Sequence, residues 1–360
     1  MAVQDDKVNK AVVYAEPGST KTRIEQLSIP VPSNGQILVK LSHSGVCHSD
    51  LGVCLQSWAV LPFPTQAGQI GGHEGVGTVL SHGPGVTAPA IGSRVGIKWL
   101  ADVCNICASC LENDDNTCEK QKISGYYTPG TFQQYVTTSA TYATPIPDGI
   151  DSAAAAPILC AGLTVYSGLK KSGAKPGDWV VISGAGGGLG HLAVQYASRA
   201  MGFRVIAIDG SSKEALCKEC GAEEFLDFMQ HTDEELEAMV KKIANNGRGA
   251  NAVLVVSAAN KSYEQGLKFL KPQGTLVCIG MPEGTPVPIQ SAHPAKITVQ
   301  QFRIIGSAVG TRLEALEALE LAARGLVKCH YMIKKMEDLT EIFDEMTAAK
   351  LQGRVVLELT

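Results

Sequence analysis

The sequence predicts an α/β protein built from a β-rich part followed by a parallel-sheet part. In the first 150 residues, short apolar runs such as 11–14, 37–41 and 94–97 are separated by Gly, Pro, Asn and Ser, which is typical of short strands joined by turns. After about residue 160, strand-like runs alternate with longer helical segments, and such alternation builds a parallel sheet. The length of 360 residues favours two domains over a single core.

The parallel-sheet part is predicted to contain five strands with helices between them. The strands are expected at 179–183, 204–208, 224–227, 252–256 and 275–279, and the helices at 189–201, 233–244 and 263–270. From about residue 307, the C-terminal region is predicted to hold two more helices and a closing strand, at 313–324, 336–349 and 354–359.

Composition and charge exclude several classes of protein. Apolar residues make up 45% of the chain and charged residues 18%, so we expect a packed globular protein. The net charge of -4 gives no reason to expect a nucleic-acid or anionic-membrane partner. The first ten residues lack the apolar core of a secretory signal, and the weakly polar stretch 153–169 is better explained by a buried helix than by a membrane span. A cytoplasmic protein is predicted.

Eleven cysteines are many for such a protein, and four of them crowd into one short segment. Because thiols stay reduced in the cytoplasm, the cluster indicates a metal rather than disulfides. The four cysteines have the pattern Cys-x2-Cys-x2-Cys-x7-Cys, which can surround a tetrahedral zinc with no open position, so a structural zinc lobe is predicted over 103–120. Iron–sulfur ligation, whose usual spacings differ, and unconnected buried cysteines are the alternatives. The predicted ligands are Cys104, Cys107, Cys110 and Cys118.

A glycine-rich turn follows the apolar run 180–183 and leads into a predicted helix. Glycines allow positive φ and a close approach of the backbone to a pyrophosphate, which the helix N-terminus stabilises. This pattern predicts a turn that binds a dinucleotide, although the strict fingerprint is not matched and a bare structural turn is the alternative. The residues predicted to contact the cofactor here are Gly184, Gly187, Gly188, Leu189 and Gly190.

Asp209 ends the second predicted strand, 19 residues after Gly190. A carboxylate there can accept hydrogen bonds from both ribose hydroxyls of NAD and would repel the 2′-phosphate of NADP. Lys213 could add a contact to the adenine ribose. A solvated strand end and an exposed helix-start lysine are the corresponding structural interpretations.

Three further candidate metal ligands are far apart along the chain. Cys47, His73 and Cys160 lie in separate glycine-rich segments, and spacing alone does not join them. From composition and spacing alone, each is better explained as a buried structural residue.

Long motifs place the chain beside a known family. Across nearly its whole length, it resembles the zinc-containing medium-chain alcohol dehydrogenases, most closely those of yeasts and other fungi. The motifs that carry the resemblance lie at 45–50, 71–77, 96–100, 104–118, 124–126, 132–135, 156–162, 187–197 and 325–328. Several are long and rare strings.

The resemblance implies a GroES-like catalytic domain at 1–161, a Rossmann NAD-binding domain at 162–306 and a C-terminal return to the catalytic domain at 307–360. It implies an active site in a cleft between the domains and two zinc ions per chain. Cys47, His73 and Cys160 would bind a catalytic zinc, with water or substrate as the fourth ligand. Glu74 would lie beside the metal and bind it transiently, and Asp50 would fix the orientation of His73.

The resemblance also implies how protons and cofactor are handled. Zinc would acidify a bound alcohol, whose alkoxide passes a hydride to the nicotinamide ring. Ser49 would bond the alkoxide oxygen and pass the proton toward the cofactor ribose. His48 and Arg354 match contacts to the pyrophosphate, and Thr164 matches a position that lines the nicotinamide. Surface or cap roles are the alternatives for these residues.

Two positions depart from the family pattern. Gly52 stands where the best-studied members carry a histidine that completes the proton path, so the proton leaves through water or through a slower relay. Cys54 stands where yeast enzymes carry a tryptophan, which predicts a larger substrate pocket. Trp58 and Trp99 match aromatic positions that narrow the site. All three pocket residues could instead belong to the core.

The predicted function is transfer of a hydride between a primary or secondary alcohol, or its aldehyde or ketone, and NAD(H). The alternative is a specialised aldehyde or ketone reductase of secondary metabolism, motivated by Gly52 and Cys54. A zinc-free quinone reductase is disfavoured by the three candidate ligands, and a non-catalytic binding protein is disfavoured by the intact metal and cofactor motifs. The resemblance further suggests a homotetramer acting on a small-molecule substrate.

Overall fold

The computed structural model describes residues 8–58, 61–282, 285, 287–351 and 353–360. The chain divides into two compact units. The first holds the described residues up to Cys160, with Thr311–Glu320 and His330–Thr360, and the second holds Ala161–Gly310 and Leu321–Cys329. The sequence prediction instead assigned all of 307–360 to the first unit. Residues 307–310 and 321–329 differ, because they lie in the second unit, and one helix, Arg312–Ala323, begins in the first unit and ends in the second.

The elements are given in chain order for the described residues. The strands are β1 Val8–Tyr14, β2 Thr22–Ser28, β3 Gln36–Val46, β4 Gly75–His82, β5 Arg94–Ile97, β6 Leu100–Asp102, β7 Lys122–Ile123, β8 Tyr135–Ser139, β9 Thr144–Pro145, β10 Trp179–Ser183, β11 Arg204–Asp209, β12 Glu224–Asp227, β13 Ala250–Val255, β14 Leu270–Cys278, β15 Arg303–Gly306, β16 Tyr331–Lys335 and β17 Arg354–Glu358. The α-helices are α1 His48–Leu55, α2 Ala108–Leu111, α3 Ser152–Pro157, α4 Leu163–Lys171, α5 Gly190–Gln195, α6 Glu214–Cys220, α7 Asp233–Ile243, α8 Asn260–Phe269, α9 Pro294–Gln300, α10 Arg312–Ala323 and α11 Leu339–Thr347.

The first unit is built around a mostly antiparallel sheet with the order β16-β17-β3-β4-β5-β9 among the described strands, and β8 also pairs with β3. Alternate residues of β3, such as Val39 and Leu41, point into the core, while Lys40 is exposed. Strand β17 comes from the C-terminal end of the chain and pairs Gly45 with Val356. Both chain ends therefore build the sheet whose edge loops carry the candidate ligands.

The second unit contains six parallel strands within the described residues, in the order β12-β11-β10-β13-β14-β15. Numbered within the unit, this is the order 3-2-1-4-5-6 of the Rossmann fold. Its central strands, such as Val180–Ile182, are buried on both faces, as parallel strands between helix layers are. The α/β class and the parallel sheet are confirmed, and strand ends differ from the predictions by a few residues.

Several elements of the second unit were not predicted. They are α6, α9 and the edge strand β15. The helix predicted at 189–201 consists of α5 followed by a π-helical turn at Tyr196–Ala200.

The helical run Ser152–Lys171 is long and apolar enough to cross a membrane by length and composition alone. However, 83% of its most apolar window is buried inside the protein, which is typical of a core helix.

Candidate metal and cofactor sites

Four predicted ligands that are distant in sequence meet in the first unit. Cys47 is the N-cap of α1, His73 and Glu74 immediately precede β4, and Cys160 lies in a π-helical turn at Ile158–Gly162. Their candidate ligand atoms all lie within 4.8 Å of one another. All four side chains are buried, so this cluster of candidate ligands lies inside the protein rather than on its surface.

The spacing of the donors in this cluster fits zinc. Sγ of Cys47 lies 3.9 Å from Sγ of Cys160, and Nε2 of His73 lies 3.2 Å from the latter sulfur. Tetrahedral zinc with ordinary bond lengths places two sulfurs about 3.8 Å apart and a sulfur and a nitrogen about 3.6 Å apart. A disulfide would need the sulfurs at about 2.05 Å. If Cys47, His73 and Cys160 bind the ion and the Glu74 carboxylate stays with Arg354, one position would remain for water or substrate.

Asp50 orients two of the donor residues at once. Its Oδ1 lies 2.8 Å from Nδ1 of His73, and its Oδ2 accepts a hydrogen bond from the backbone N–H of Cys47 at 2.8 Å. Burial alone would lower the pKa of His73, but the adjacent Asp50 carboxylate and Cys47 raise it well above its usual value. With Nδ1 bonded to Asp50, Nε2 is the atom directed at the cluster, which is the usual effect of a carboxylate that hydrogen-bonds to a metal-binding histidine.

Glu74 and Arg354 form a buried ion pair that the sequence did not predict. A guanidinium nitrogen of Arg354 contacts Oε1 of Glu74, and the two side chains are 6% and 0% exposed. Oε2 of Glu74 has no hydrogen-bond partner among the described residues. Burial raises the pKa of Glu74 to about 7 against the opposing charge of Arg354. The pyrophosphate contact assigned to Arg354 stays a prediction, and the structure adds its role as the partner of Glu74.

Glycine at position 45 makes room for that carboxylate. A Cβ atom on Gly45 would lie 1.9 Å from Oε2 of Glu74, so no larger residue fits there without moving the glutamate. This requirement explains the first glycine of the 45–50 motif.

Two tryptophans surround the ligand cluster. The rings of Trp99 and His73 are nearly perpendicular, at 85°, with centroids 4.9 Å apart, and Trp58 lies 6.2 Å from Trp99. Ser49 is half-buried, with Oγ 3.6 Å from Sγ of Cys47, and His48 is exposed. Ser49 and both tryptophans therefore lie at or near the candidate ligands.

Trp58 lies directly beside Gly52. A Cβ atom on Gly52 would lie 2.9 Å from Cε2 and 3.0 Å from Nε1 of the Trp58 indole. The indole therefore occupies the space beside Cα of Gly52, and a larger side chain at position 52 would have to displace it.

The prediction that Cys54 widens the substrate pocket is wrong. Its side chain is 0% exposed and belongs to the hydrophobic core, where Sγ donates to the carbonyl oxygen of Ser19 at 3.1 Å. Burial raises the pKa of this thiol to about 12. The inward face of α1 carries this residue, and the spacing within the motif did not reveal that orientation.

We expect Gly52→Ala to lower the free energy of unfolding by about 1–3 kcal/mol, because the added methyl group overpacks against Trp58. Combining it with Trp58→Leu should recover part of that loss, since the smaller side chain makes room. Urea unfolding of both variants and of Trp58→Leu alone measures the effect. Additive losses in the double variant would show that the two positions do not compete for space.

The four-cysteine lobe has the geometry of a closed metal site. The sulfur–sulfur distances are 3.6 Å for Cys104 and Cys118, 3.6 Å for Cys107 and Cys110, and 4.0 Å for Cys104 and Cys110. Tetrahedral zinc requires about 3.8 Å. Backbone N–H groups point at the sulfurs, among them Cys107 N–H toward Cys104 Sγ at 3.4 Å. Together with a backbone N–H bond from Ile106, this donor lowers the pKa of Cys104 to about 6 and favours its thiolate.

A buried lysine lies beside the lobe. Lys98 is 2% exposed and donates to the carbonyl oxygen of Tyr142 at 2.8 Å and to Oγ1 of Thr144 at 3.1 Å. Its Nζ also lies 3.9 Å from the centre of the Tyr142 ring. Burial, assisted by the positive charge of Arg312 and opposed by Asp115, lowers the pKa of Lys98 to about 7.

This pKa predicts a pH-dependent stability. The folded pKa of Lys98 lies below its usual value of 10.5, so between about pH 7 and 10.5 the unfolded chain binds a proton that the folded chain does not. Stability therefore rises with pH in this window, by up to about 1.4 kcal/mol per pH unit, and the cost of burying the charge is constant below it. We expect Lys98→Met to remove this contribution from the slope. Urea unfolding of zinc-loaded protein from pH 7 to 9 tests this, and equal slopes in both proteins would contradict it.

In the second unit, the glycine-rich turn joins β10 to α5. Gly184 has φ +86°, and a Cβ atom on Gly190 would lie 2.0 Å from the carbonyl oxygen of Gly184, so both positions need glycine. Gly187, Gly188 and Leu189 complete the turn before α5 begins.

Asp209 at the end of β11 reaches this turn. Its Oδ2 accepts a hydrogen bond from the N–H of Gly186 at 2.8 Å, and its Oδ1 accepts one from the N–H of Gly210 at 2.8 Å. The sequence did not single out Gly186, whose missing side chain leaves room for Lys213: a Cβ atom there would lie 2.4 Å from Cβ of Lys213. Thr164 lies on α4 and is buried.

Comparisons with known proteins agree with these arrangements. Residues 33–148 match the family described as alcohol dehydrogenase GroES-like domain, and residues 188–324 match the family described as zinc-binding dehydrogenase. Alcohol dehydrogenase 2 of Emericella nidulans is 54% identical, with 98% of each chain covered. The alcohol dehydrogenase of Schizosaccharomyces pombe is 43% identical, with 99% of each chain covered.

The fold agrees as well. A crystal structure of an NAD-dependent alcohol dehydrogenase has a TM-score of 0.86 at 27% identity and covers 98% of this chain and 100% of that chain. The predicted resemblance and the predicted pair of GroES-like and Rossmann folds are confirmed. The chain therefore belongs to the zinc-binding medium-chain alcohol dehydrogenases.

Proposed function

We propose that this protein is a zinc-dependent alcohol dehydrogenase that transfers a hydride between a primary or secondary alcohol, or its aldehyde or ketone, and NAD(H). The observation that carries the proposal is the meeting of two thiols and one imidazole, Cys47, Cys160 and His73, at distances that fit zinc with one open position. The NAD-dependent relative of the same fold supports the cofactor.

The side chains of the proposed catalytic site have separate roles. Cys47, His73 and Cys160 would hold the ion, and Asp50 fixes the imidazole through Nδ1. Bound zinc supplies Lewis-acid activation of the alcohol oxygen. Ser49 accepts the alcohol proton and passes it toward the ribose of the cofactor.

Glu74 is proposed to act beside the three zinc ligands. One carboxylate oxygen of Glu74 lies in the ligand cluster, where it could bind the ion transiently, while Arg354 balances the charge. A second zinc in the four-cysteine lobe is structural, because four sulfurs leave no position for substrate.

The cofactor is proposed to bind in the second unit. The glycine-rich turn is proposed to approach the pyrophosphate, and Thr164 to line the nicotinamide. The pyrophosphate contacts of His48 and Arg354 stay predictions from the family resemblance. Lys213 lies beside the turn and contributes to the adenine ribose. A homotetramer in the cytoplasm, without nucleic-acid or membrane partners, completes the proposal by analogy with the family.

No observation favours the specialised reductase. It was motivated by Gly52 and Cys54, but Cys54 lies in the core, and no contact among the described residues ties Gly52 to a particular substrate. With Trp58 and Trp99 near the ligands, small alcohols are the preferred substrates.

Zinc-loaded protein assayed with ethanol, benzyl alcohol and bulkier alcohols and aldehydes tests the function. We expect NADH absorbance to appear with NAD and alcohol, and the small alcohol to be favoured. Absence of turnover with zinc and NAD both bound would favour a binding protein instead.

Cofactor choice is predicted to depend on Asp209. We expect kcat/KM to be higher with NAD than with NADP, because this carboxylate repels a 2′-phosphate, and Asp209→Ser to narrow the difference by about 10-fold or more. The matched control is Asp227→Ser, which replaces the carboxylate at the end of the adjacent strand β12 and leaves Asp209 in place. A wild-type preference for NADP would contradict the role of Asp209.

A further inference from the structure

Trp99 contacts a residue of one candidate metal site and packs against the core of the other. Trp99 lies nearly perpendicular to the His73 ring, with centroids 4.9 Å apart. The same side chain packs against the core of the four-cysteine lobe, which Leu100, Val103, Cys118 and Tyr142 form. Its indole is thus shared by a ligand of the proposed catalytic zinc and by the lobe.

The backbone on both sides of Trp99 is tied to the lobe. Strand β6 begins at the next residue and pairs with β7, and Cys104 follows β6 while Cys118 precedes β7. Beyond β7, Ser124 donates its N–H to the carbonyl oxygen of Trp99 at 2.9 Å and its hydroxyl to the carbonyl oxygen of Lys98 at 2.8 Å. Cysteines that share one metal ion would therefore clamp both strands of the ribbon that carries Trp99.

The contact with His73 complements the one from Asp50. The carboxylate holds the imidazole at Nδ1, a single atom about which the ring can still tilt. A perpendicular aromatic neighbour at 4.9 Å restrains that tilt, and so the direction in which Nε2 points.

We propose that Trp99 is a positioning residue through which the metal-loaded lobe strengthens metal binding at Cys47, His73 and Cys160. This inference rests on the proposed function, since it requires a metal at both sites. Because coupling between two binding sites is reciprocal, metal at the catalytic site strengthens binding at the lobe by the same factor. Trp99 thus couples the structural metal site in the lobe to the catalytic metal site.

Cobalt substitution tests the proposal with a readout other than turnover. With Zn²⁺ kept in the lobe, the visible absorbance comes from Co²⁺ bound by Cys47, His73 and Cys160, and titration against a chelator gives the affinity of that site. We expect Trp99→Leu to weaken this site about 3- to 10-fold, the range expected for losing one aromatic pair, and to change its visible spectrum. Trp99→Phe should restore most of both, because it keeps an aromatic ring beside His73.

Cys110→Ser removes one lobe ligand and should weaken cobalt binding at the other site by a similar factor. The double variant Cys110→Ser/Trp99→Leu should be no weaker than either single variant, because both break the same connection. Leu100→Ala, which loosens the lobe core while keeping all four cysteines, replaces Cys110→Ser if that protein does not fold. Cys278→Ser, a half-buried thiol in the second unit, is the control that should change nothing.

Two results would overturn the inference: Trp99→Leu with wild-type cobalt affinity and spectrum, or effects of the two variants that multiply in the double variant. The proposed function fails differently. If wild-type protein bound no metal at Cys47, His73 and Cys160, the site assignment itself would be wrong, whatever the lobe does.

Discussion

Replacing Cys47 by Ser is expected to lower kcat/KM for alcohol oxidation by roughly 10³-fold or more. Cys47 is one of three donors around the proposed catalytic zinc, and a Lewis acid contributes several kcal/mol of transition-state stabilisation, at about 1.4 kcal/mol for each factor of ten. Steady-state kinetics at saturating zinc and NAD, together with metal analysis of the variant, measure the loss.

Cys278→Ser is again the control, because it removes one thiol, as Cys47→Ser does, but leaves the cluster of Cys47, His73 and Cys160 intact. It should retain the wild-type kcat/KM. A Cys47→Ser enzyme with a tenth or more of wild-type kcat/KM would mean that the chemistry does not depend on this ligand.

Replacing Cys110 by Ser should instead act on stability. Loss of a structural zinc removes binding free energy that is part of the folding free energy, so we expect a drop on the order of 5 kcal/mol in the free energy of unfolding. At saturating zinc, the folded fraction should keep a kcat within a few-fold of wild type, because no substrate position exists among four sulfurs. Denaturant unfolding and kinetics on the same preparation give both quantities.

Together, the two cysteine variants distinguish a catalytic metal site from a structural one. Equal losses of stability and of turnover in Cys47→Ser and Cys110→Ser would remove the distinction between a catalytic and a structural site.

Local patterns in the sequence predicted much of this structure. The alternation of apolar runs and helices predicted the parallel sheet, and four cysteines within 15 residues predicted the lobe, because short spacing alone brings their sulfurs together. The glycine-rich turn and Asp209 were likewise identified, since both lie at the ends of neighbouring strands.

Contacts between distant segments could not be predicted in this way. Cys47 and Cys160 are 113 residues apart and meet only because the sheet and the π-helical turn bring their loops together, so the family resemblance was needed to join them. The ion pair of Glu74 and Arg354 depends on β17 pairing with β3, a connection between the two chain ends.

The direction in which a side chain points also could not be predicted from the sequence. Cys54 follows the 45–50 motif closely and looked like a pocket residue, but α1 turns it into the core. Gly52 looked like a missing relay group, and its close neighbour, the indole of Trp58, lies six residues further along and is visible only in three dimensions.

Anomalous X-ray diffraction at the zinc absorption edge, from crystals of the purified protein, tests the central claim most directly. The account predicts two peaks per chain, one bounded by Cys47, His73 and Cys160 and one inside the four-cysteine lobe. An absent first peak, with those three side chains directed away from one another, would contradict it.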